Sequence, residues 1–301
     1  KLTTEAYIRD ERFEVIGVGV KVDNGETYWK SGSHEHIQGF LDGLDIPNSY
    51  LLCHNAAFDG AILAWRYGII PKYYLDTLSM ARPITGLTVG GSLAALAKQY
   101  NLGVKGTEVV NALGKRLHAF MPHELEAYGE YCKNDVELTY QLFQKLRHEI
   151  PKSELVTIDL MLRMYTDPVL ELDSEMLEQA LEEERDIRES LLLRLGIEEK
   201  TLASNPMFAA TLRKLGVEPP MKTSKTTGEK TLALAKNDAM FQALLNGENE
   251  DVALLCEARL KVKSTTERTR AQRFLDISKR GALPVPLSYY GARSGRWTAA
   301  K

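Results

Sequence analysis

Several absences narrow what this sequence is able to be. No apolar run approaches the roughly 18 residues that a bilayer-spanning helix requires, so no membrane span is expected. Only three cysteines occur, Cys53, Cys132 and Cys256, far apart and without a CxxC pair. An odd, unpatterned set of this kind points to reduced thiols in an intracellular protein. There is no internal repeat. Strong charge of one sign is also lacking, but the net charge of −3 hides an uneven distribution. Residues 261–280 carry three lysines and four arginines against Glu267 and Asp276, which leaves a nucleic-acid partner open. The 301 residues suffice for two domains, and 44% hydrophobic with 26% charged content is that of ordinary soluble globular chains.

The rest of the chain is organised around residues 124–149. Leu125, Tyr128, Cys132, position 135, Thr139, Leu142 and Leu146 follow alternating steps of three and four, the stripe of an amphipathic helix. Position 135 is an aspartate, and a carboxylate on a core-facing stripe is costly unless something pairs with it. Tyr131 stands one turn earlier on the same side.

Taken in order, residues 13–22 are rich in β-branched side chains. Asp23-Asn24-Gly25 then turns the chain into a second strand at 27–29. Residues 50–53 have the character of a short buried strand. His54-Asn55-Ala56-Ala57-Phe58-Asp59 hands this strand to a helix closed by Gly68. Asn55 either shares a helix side with Asp59 or caps the helix, and Phe58, Ile62 and Trp65 form its core stripe. Asp76 and Ser92 are expected to cap two further helices, and Asp173 a long charged one that Gly196 ends. In that helix Glu182, Glu183 and Glu184 form a solvated face. Residues 219–228 suggest a polar loop, and 250–275 one long helix bearing Arg259, Lys261, Lys263, Arg268, Arg270 and Arg273.

Two inward carboxylates on separate helices, Asp59 and Asp135, need a reason to be ionised side by side. A divalent metal is the common one, since hard cations prefer oxygen ligands. Two such ions about 4 Å apart activate a water and stabilise the leaving oxygen in phosphodiester hydrolysis. The plainer alternative is that each acid merely caps a helix or forms a salt bridge.

The motif HNxxFD after a strand, followed by YxxxD within a long helix, resembles the proofreading 3′–5′ exonucleases of the DEDD superfamily, tyrosine subtype. The resemblance implies an RNase H-like α/β domain with a mixed sheet, two magnesium ions (manganese as a substitute) and a single-stranded 3′ end as substrate. It implies that Asp135 binds the first metal, that Asp59 serves the second partly through water, and that Tyr131 positions the nucleophile. Asn55 and Phe58 would flank the terminal nucleotide. One motif departs. The family's Asp-x-Glu strand should precede the hairpin at residue 13, and residues 1–12 do not supply it. Asp-x-Glu at 135–137 turns Glu137 away from Asp135, and at 173–175 it opens a helix. The expectation is that the first motif lies upstream of Lys1.

The second half resembles family A DNA polymerases, bacteriophage branch. NPMFAATLRKLGV, KTSKTTGEKTLA, EARLKVKST and SYYGARSGRWT occur in the order of a mostly α-helical thumb and the beginning of the palm. The resemblance implies that Lys261, Lys263, Ser264, Thr265, Arg293 and Arg296 lie along primer-template DNA. Lysines and arginines along a helix neutralise phosphates without reading bases. The expected domains are an exonuclease at 1–155, a linker helix and thumb at 156–281, and the start of a palm at 282–301. The chain is expected to be a fragment, impaired alone in both activities. Its parent would use deoxynucleotides, together with a processivity partner whose identity the sequence does not give, in the cytoplasm of an infected bacterium. Two rivals are a stand-alone DEDD nuclease acting on DNA or RNA, and a non-catalytic DNA-binding module.

Overall fold

A computed structural model describes residues 2–86, 88–106, 114–224 and 226–300. The chain divides into two compact units, Lys1–Leu170 with Pro284–Lys301, and Glu171–Leu283. Residue 155 thus falls inside a helix of the first unit, and the last segment joins that unit too. Among the described residues no helix is long and apolar enough to cross a membrane.

In the first unit α1 (Thr4–Arg9) precedes a hairpin of β1 (Gly17–Lys21) and β2 (Thr27–Ser31). The two strands are antiparallel, with Val18 opposite Lys30 and Val20 opposite Tyr28. The Asp-Asn-Gly turn forms as its residues dictate, with Asp23 at φ +48° and the Gly25 N–H on the Val22 carbonyl at 2.9 Å. After α2 (His34–Asp42), β3 (Tyr50–Cys53) and β4 (Tyr73–Asp76) pair in parallel through the crossover helix α3 (Ala56–Tyr67). Parallel pairing requires such a connection. Gly68, at φ +67°, closes α3 as expected.

Four helices follow, α4 (Thr77–Thr85), α5 (Leu93–Gln99), α6 (Pro122–Leu146) and α7 (Lys152–Thr166). The expected stripe of α6 is real. Thr139, Leu142 and Leu146 of that stripe are buried, while Leu125, Tyr128, Cys132 and Asp135 are half-buried. Leu142 and Leu146, with Leu138 beside the stripe, pack against Met80 of α4, Leu93 and Leu96 of α5, and Ile158, Met161 and Leu162 of α7. The helix begins and ends slightly earlier than its periodicity suggests, because Pro122 suits a first helical turn.

The expected single mixed sheet is not formed among the described residues. The hairpin β1–β2 and the pair β3–β4 are separate two-stranded sheets, and neither β1 nor β3 has a second neighbour. A groove of about 1120 Å³ lies against both strands, lined by 17–22 on one side and 50–53 on the other. The expectation of a buried strand at 50–53 is corrected for the same reason. Its residues are half-buried and Tyr50 is 65% exposed, because nothing covers that edge.

In the second unit α8 (Ser174–Leu195) starts on the Asp173 carboxylate, which accepts the Met176 N–H at 2.9 Å, and ends at Gly196. Glu182 forms only an exposed ion pair with Arg185. The helices α9 (Glu199–Ala203), α10 (Asn205–Lys214), α11 (Ala239–Leu245), α12 (Glu250–Lys263) and α13 (Thr266–Ser278) complete it. Two expectations fail here. Residues 219–228 are not wholly loop, because Met221–Thr223 pairs with Lys230–Leu232. That hairpin closes through the Ser224 N–H on the Glu229 carbonyl, with Gly228 at φ +73°. The long helix at 250–275 breaks at Ser264-Thr265, where Ser264 leaves helical geometry at ψ 83°. Hydroxyl side chains compete for backbone groups and favour such ends.

Arg259 is also misplaced by the basic-stripe reading. It is 2% exposed, donates to the Leu202 carbonyl and to Asn205, and lies 4.4 Å from the Phe208 ring centroid. Arg259 therefore binds α12 to α9 and α10 rather than facing DNA. Arg259→Ala should lower stability by about 2–4 kcal/mol in urea unfolding, through poorer packing and orphaned acceptors. The salt slope of DNA binding should not change.

Candidate active-site groove

The first wall of the groove is built where β3 ends. Asn55 sits at φ +71°, a left-handed conformation that asparagine tolerates. Asn55 stands at the N-cap of α3, as the second of the two expectations has it, but its side chain makes no cap hydrogen bond. The start of α3 is instead capped from the neighbouring strand. Asp76 Oδ1 accepts the N–H groups of Asn55 and Ala56 at 2.7 and 3.1 Å. The same carboxylate caps α4, accepting the N–H groups of Leu78 and Ser79, both at 3.2 Å, and the Ser79 hydroxyl at 2.5 Å. The expected cap on α4 is present, and the buried Asp76 starts a second helix as well.

This arrangement sets the state of Asp59 in the first turn of α3. The protein packed around it, and then the Asp76 charge, push the Asp59 carboxyl up to about 6. Asp59 is nevertheless exposed to the groove, so water moderates that effect and the group is largely ionised at neutral pH. His54, just before it, is held between the Thr77 hydroxyl at 2.8 Å and the Gly91 carbonyl at 2.9 Å. Burial pushes its imidazole down, so it is neutral and donates to that carbonyl.

The second wall is α6. It approaches the hairpin closely because two glycines allow it. A Cβ on Gly129 would lie 2.5 Å from the Trp29 ring, and one on Gly19 would meet Val136 at 3.2 Å. This close approach fixes the rotation of α6. Glu137 faces the hairpin, pairing with Lys21 at 2.8 Å and with the Thr27 hydroxyl, and is turned from Asp135 as helical spacing requires. Tyr131 ends an aromatic row, its ring stacked on Tyr128 at 6.0 Å, which in turn meets Trp29 edge-on. Burial pushes the Tyr131 phenol up, so it keeps its proton and remains a donor.

Asp135 is half-buried. Its Oδ2 pairs with Lys105, whose ammonium also lies 4.9 Å from the Tyr131 ring centroid. Among the described residues its Oδ1 is buried without a hydrogen-bond partner. The misplaced aspartate on the helix stripe thus does have a partner, although half of the carboxylate is left unsatisfied.

Asn55, Phe58, Asp59, Lys105 and Asp135 all line the same groove. Tyr131 is not on its lining but touches Lys105. Phe58 stacks on Tyr7 of α1 at 6.5 Å. Among the expected DNA-binding residues, Lys261, Lys263, Ser264 and Thr265 are exposed at the end of α12 and the break after it. Arg293 and Arg296 are exposed in the first unit, with Arg296 donating to the Ser294 hydroxyl at 3.0 Å. Sequence reasoning missed Lys105 and the second role of Asp76. Lys105 lies thirty positions before Asp135 with no periodic signal linking them, and only folding brings them together.

The donor set suits a hard cation. Both carboxylates offer oxygen, one oxygen is orphaned, and an ammonium already stands on the other. Magnesium commonly takes only one or two protein carboxylates, with water and substrate phosphate completing the shell. Among the described residues no cluster of three or more His, Cys, Asp or Glu side chains is placed to hold a metal ion.

An α/β domain with its acidic groups at the carboxyl end of a parallel strand pair defines a ligand-binding class. Residues 3–151, just under half of the chain, match the model of the 3′–5′ exonuclease family of the DNA polymerase A type. Residues 3–151 are thus similar to a 3′–5′ exonuclease domain of that type, which suggests a nuclease activity on nucleic acid; domains of that family are generally divalent-metal-dependent. No curated protein matches the chain.

Proposed function

We propose that this chain is the proofreading part of a bacteriophage-type family A DNA polymerase, removing nucleotides from single-stranded 3′ ends. The observation that carries this reading is the pair of carboxylates on one open groove, with Asp135 Oδ1 buried and unpaired, inside a domain of exonuclease type. Asp135 and Asp59 would hold divalent ions, magnesium by preference or manganese. These ions supply an activated water and charge stabilisation at the phosphate. Tyr131, protonated, orients that water through its hydroxyl. Phe58 and Asn55 bracket the last nucleotide on the α3 side of the groove.

The remaining ligands belong to an Asp-x-Glu strand from outside residues 1–301. The groove supports this, since β1 and β3 each present an unpaired edge to it. A strand pairing with both would join the two sheets into one mixed, RNase H-like sheet. The test is an end-labelled single strand incubated with the chain extended upstream to include that strand, with magnesium or with chelator. Stepwise shortening from the 3′ end in magnesium alone is expected, and failure of the extended protein to bind metal would refute the reading.

The second unit is read as a thumb that binds primer-template DNA. Lys261 and Lys263 flank buried Val262 in the last turn of α12, where lysines also favour the helix dipole. Lys261→Ala with Lys263→Ala should weaken primer-template binding and flatten the log–log salt slope by up to about 1.8, roughly 0.9 for each phosphate no longer neutralised. Unchanged affinity would leave only the dipole role. The extension of primers with deoxynucleotides belongs to the full polymerase. The ion pair of Lys105 with Asp135 favours one rival, a DNA-binding module without catalysis, and the magnesium assay separates the two.

A further inference from the structure

One cation reaches the acidic end of the groove, and its placement is built into the helix that carries Asp135. Lys105 follows α5 on a stretch held by two hydrogen bonds and closely approached at Gly103. The Leu102 N–H donates to the Ala97 carbonyl at 3.0 Å, and Asn134 Nδ2 donates to the Val104 carbonyl at 3.1 Å. A Cβ on Gly103 would touch Leu138 at 3.4 Å. Asn134 is the sequence neighbour of Asp135, so one turn of α6 holds both the Lys105 backbone and the partner of its side chain. The ammonium takes Asp135 Oδ2 and lies beside Tyr131. The Lys105 and Asp135 side chains remain 24% and 26% exposed, which makes the pair exchangeable rather than locked.

An oxygen that holds an ammonium is not available to a divalent ion, so the two cations compete for Asp135 Oδ2, and the ammonium charge opposes a divalent ion on Oδ1 beside it. We propose that Lys105 is the resting counter-ion of Asp135 and that, once displaced, it holds the phosphate of the terminal nucleotide. This inference rests on the exonuclease reading and names a positioning residue for it. The flexible four-carbon stem lets the ammonium move along the wall it already lines while Asn134 keeps the backbone fixed.

The test uses the chain extended upstream to include the Asp-x-Glu strand, with Lys105→Met, Lys105→Arg and Asp135→Asn, each checked by thermal melting. Manganese binding is measured by calorimetry, and oligothymidylate binding in calcium is measured over a range of salt. Lys105→Met should bind manganese about fivefold more tightly, the effect of freeing a part-exposed ion pair. It should bind oligothymidylate more weakly, with a log–log salt slope shallower by about 0.7, and Lys105→Arg should restore that slope. Equal manganese affinity in wild type and Lys105→Met overturns the counter-ion role, and an unchanged salt slope overturns the phosphate role. Manganese binding that is absent throughout, or indifferent to Asp135→Asn, defeats the exonuclease reading itself and this inference with it. That result is distinct from either of the others.

Discussion

On the proposed exonuclease reading, Asp135→Ala is expected to abolish magnesium-dependent shortening of a single-stranded 3′ end in the upstream-extended protein. The loss should be on the order of 10³-fold in rate or more, the scale for removing one fixed charge that stabilises a transition state. The size follows from the site. Among the described residues Asp135 Oδ1 is buried without a hydrogen-bond partner, which leaves that oxygen for a cation. The folded state should hardly change, because the Lys105 partner is partly exposed and the released ammonium returns to water. Loss of activity with a matching loss of melting temperature would instead make Asp135 structural. Retained activity would remove it from the chemistry.

The largest stability effect is expected at Asp76. Its carboxylate is 3% exposed and accepts five hydrogen bonds from the starts of two helices. Asp76→Ala leaves those donors unpaired in the interior and should cost about 3–5 kcal/mol, read as a lower urea midpoint. Asp76→Asn keeps one acceptor oxygen and should cost less. It should also move Asp59. In the native chain the Asp59 carboxyl is pushed up from 3.8 to about 6, through burial first and the Asp76 charge second, an effect that its exposure to the groove moderates. The folded state therefore holds that proton more tightly than the unfolded chain. The associated stability is present below 3.8 and is lost as pH rises through 6. Removing the Asp76 charge should lower the Asp59 midpoint and flatten this part of the stability curve. Carboxyl NMR titration of the two proteins measures it, and an Asp59 midpoint indifferent to Asp76→Asn would contradict the electrostatic coupling.

The parts legible in the sequence are those set by local chemistry. The three-four stripe of 124–149 forms α6, and the Asp-Asn-Gly turn forms the hairpin. Asp173 and Gly196 bound α8. Periodicity and capping act over a few residues, so one segment contains the whole cause. The same local logic overreached at 250–275. The periodic pattern continued across Ser264-Thr265, but two hydroxyl residues were enough to end one helix and begin another. It also counted Arg259 among exposed cations, since nothing nearby in sequence announces the carbonyl of Leu202 that takes its guanidinium inside.

By itself, then, the sequence determined the helix that carries Tyr131 and Asp135, the strand-to-helix corner that carries Asn55, Phe58 and Asp59, and the family these motifs resemble. Only the tertiary structure decided what surrounds them. It brought Lys105 to Asp135 and placed Asp76 under two helix starts. It also left an open groove where a continuous sheet was expected. Such pairings join residues twenty to thirty positions apart through the packing of whole elements, and the close approach at Gly129 and Gly19 that sets the rotation of α6 depends on a hairpin a hundred residues earlier.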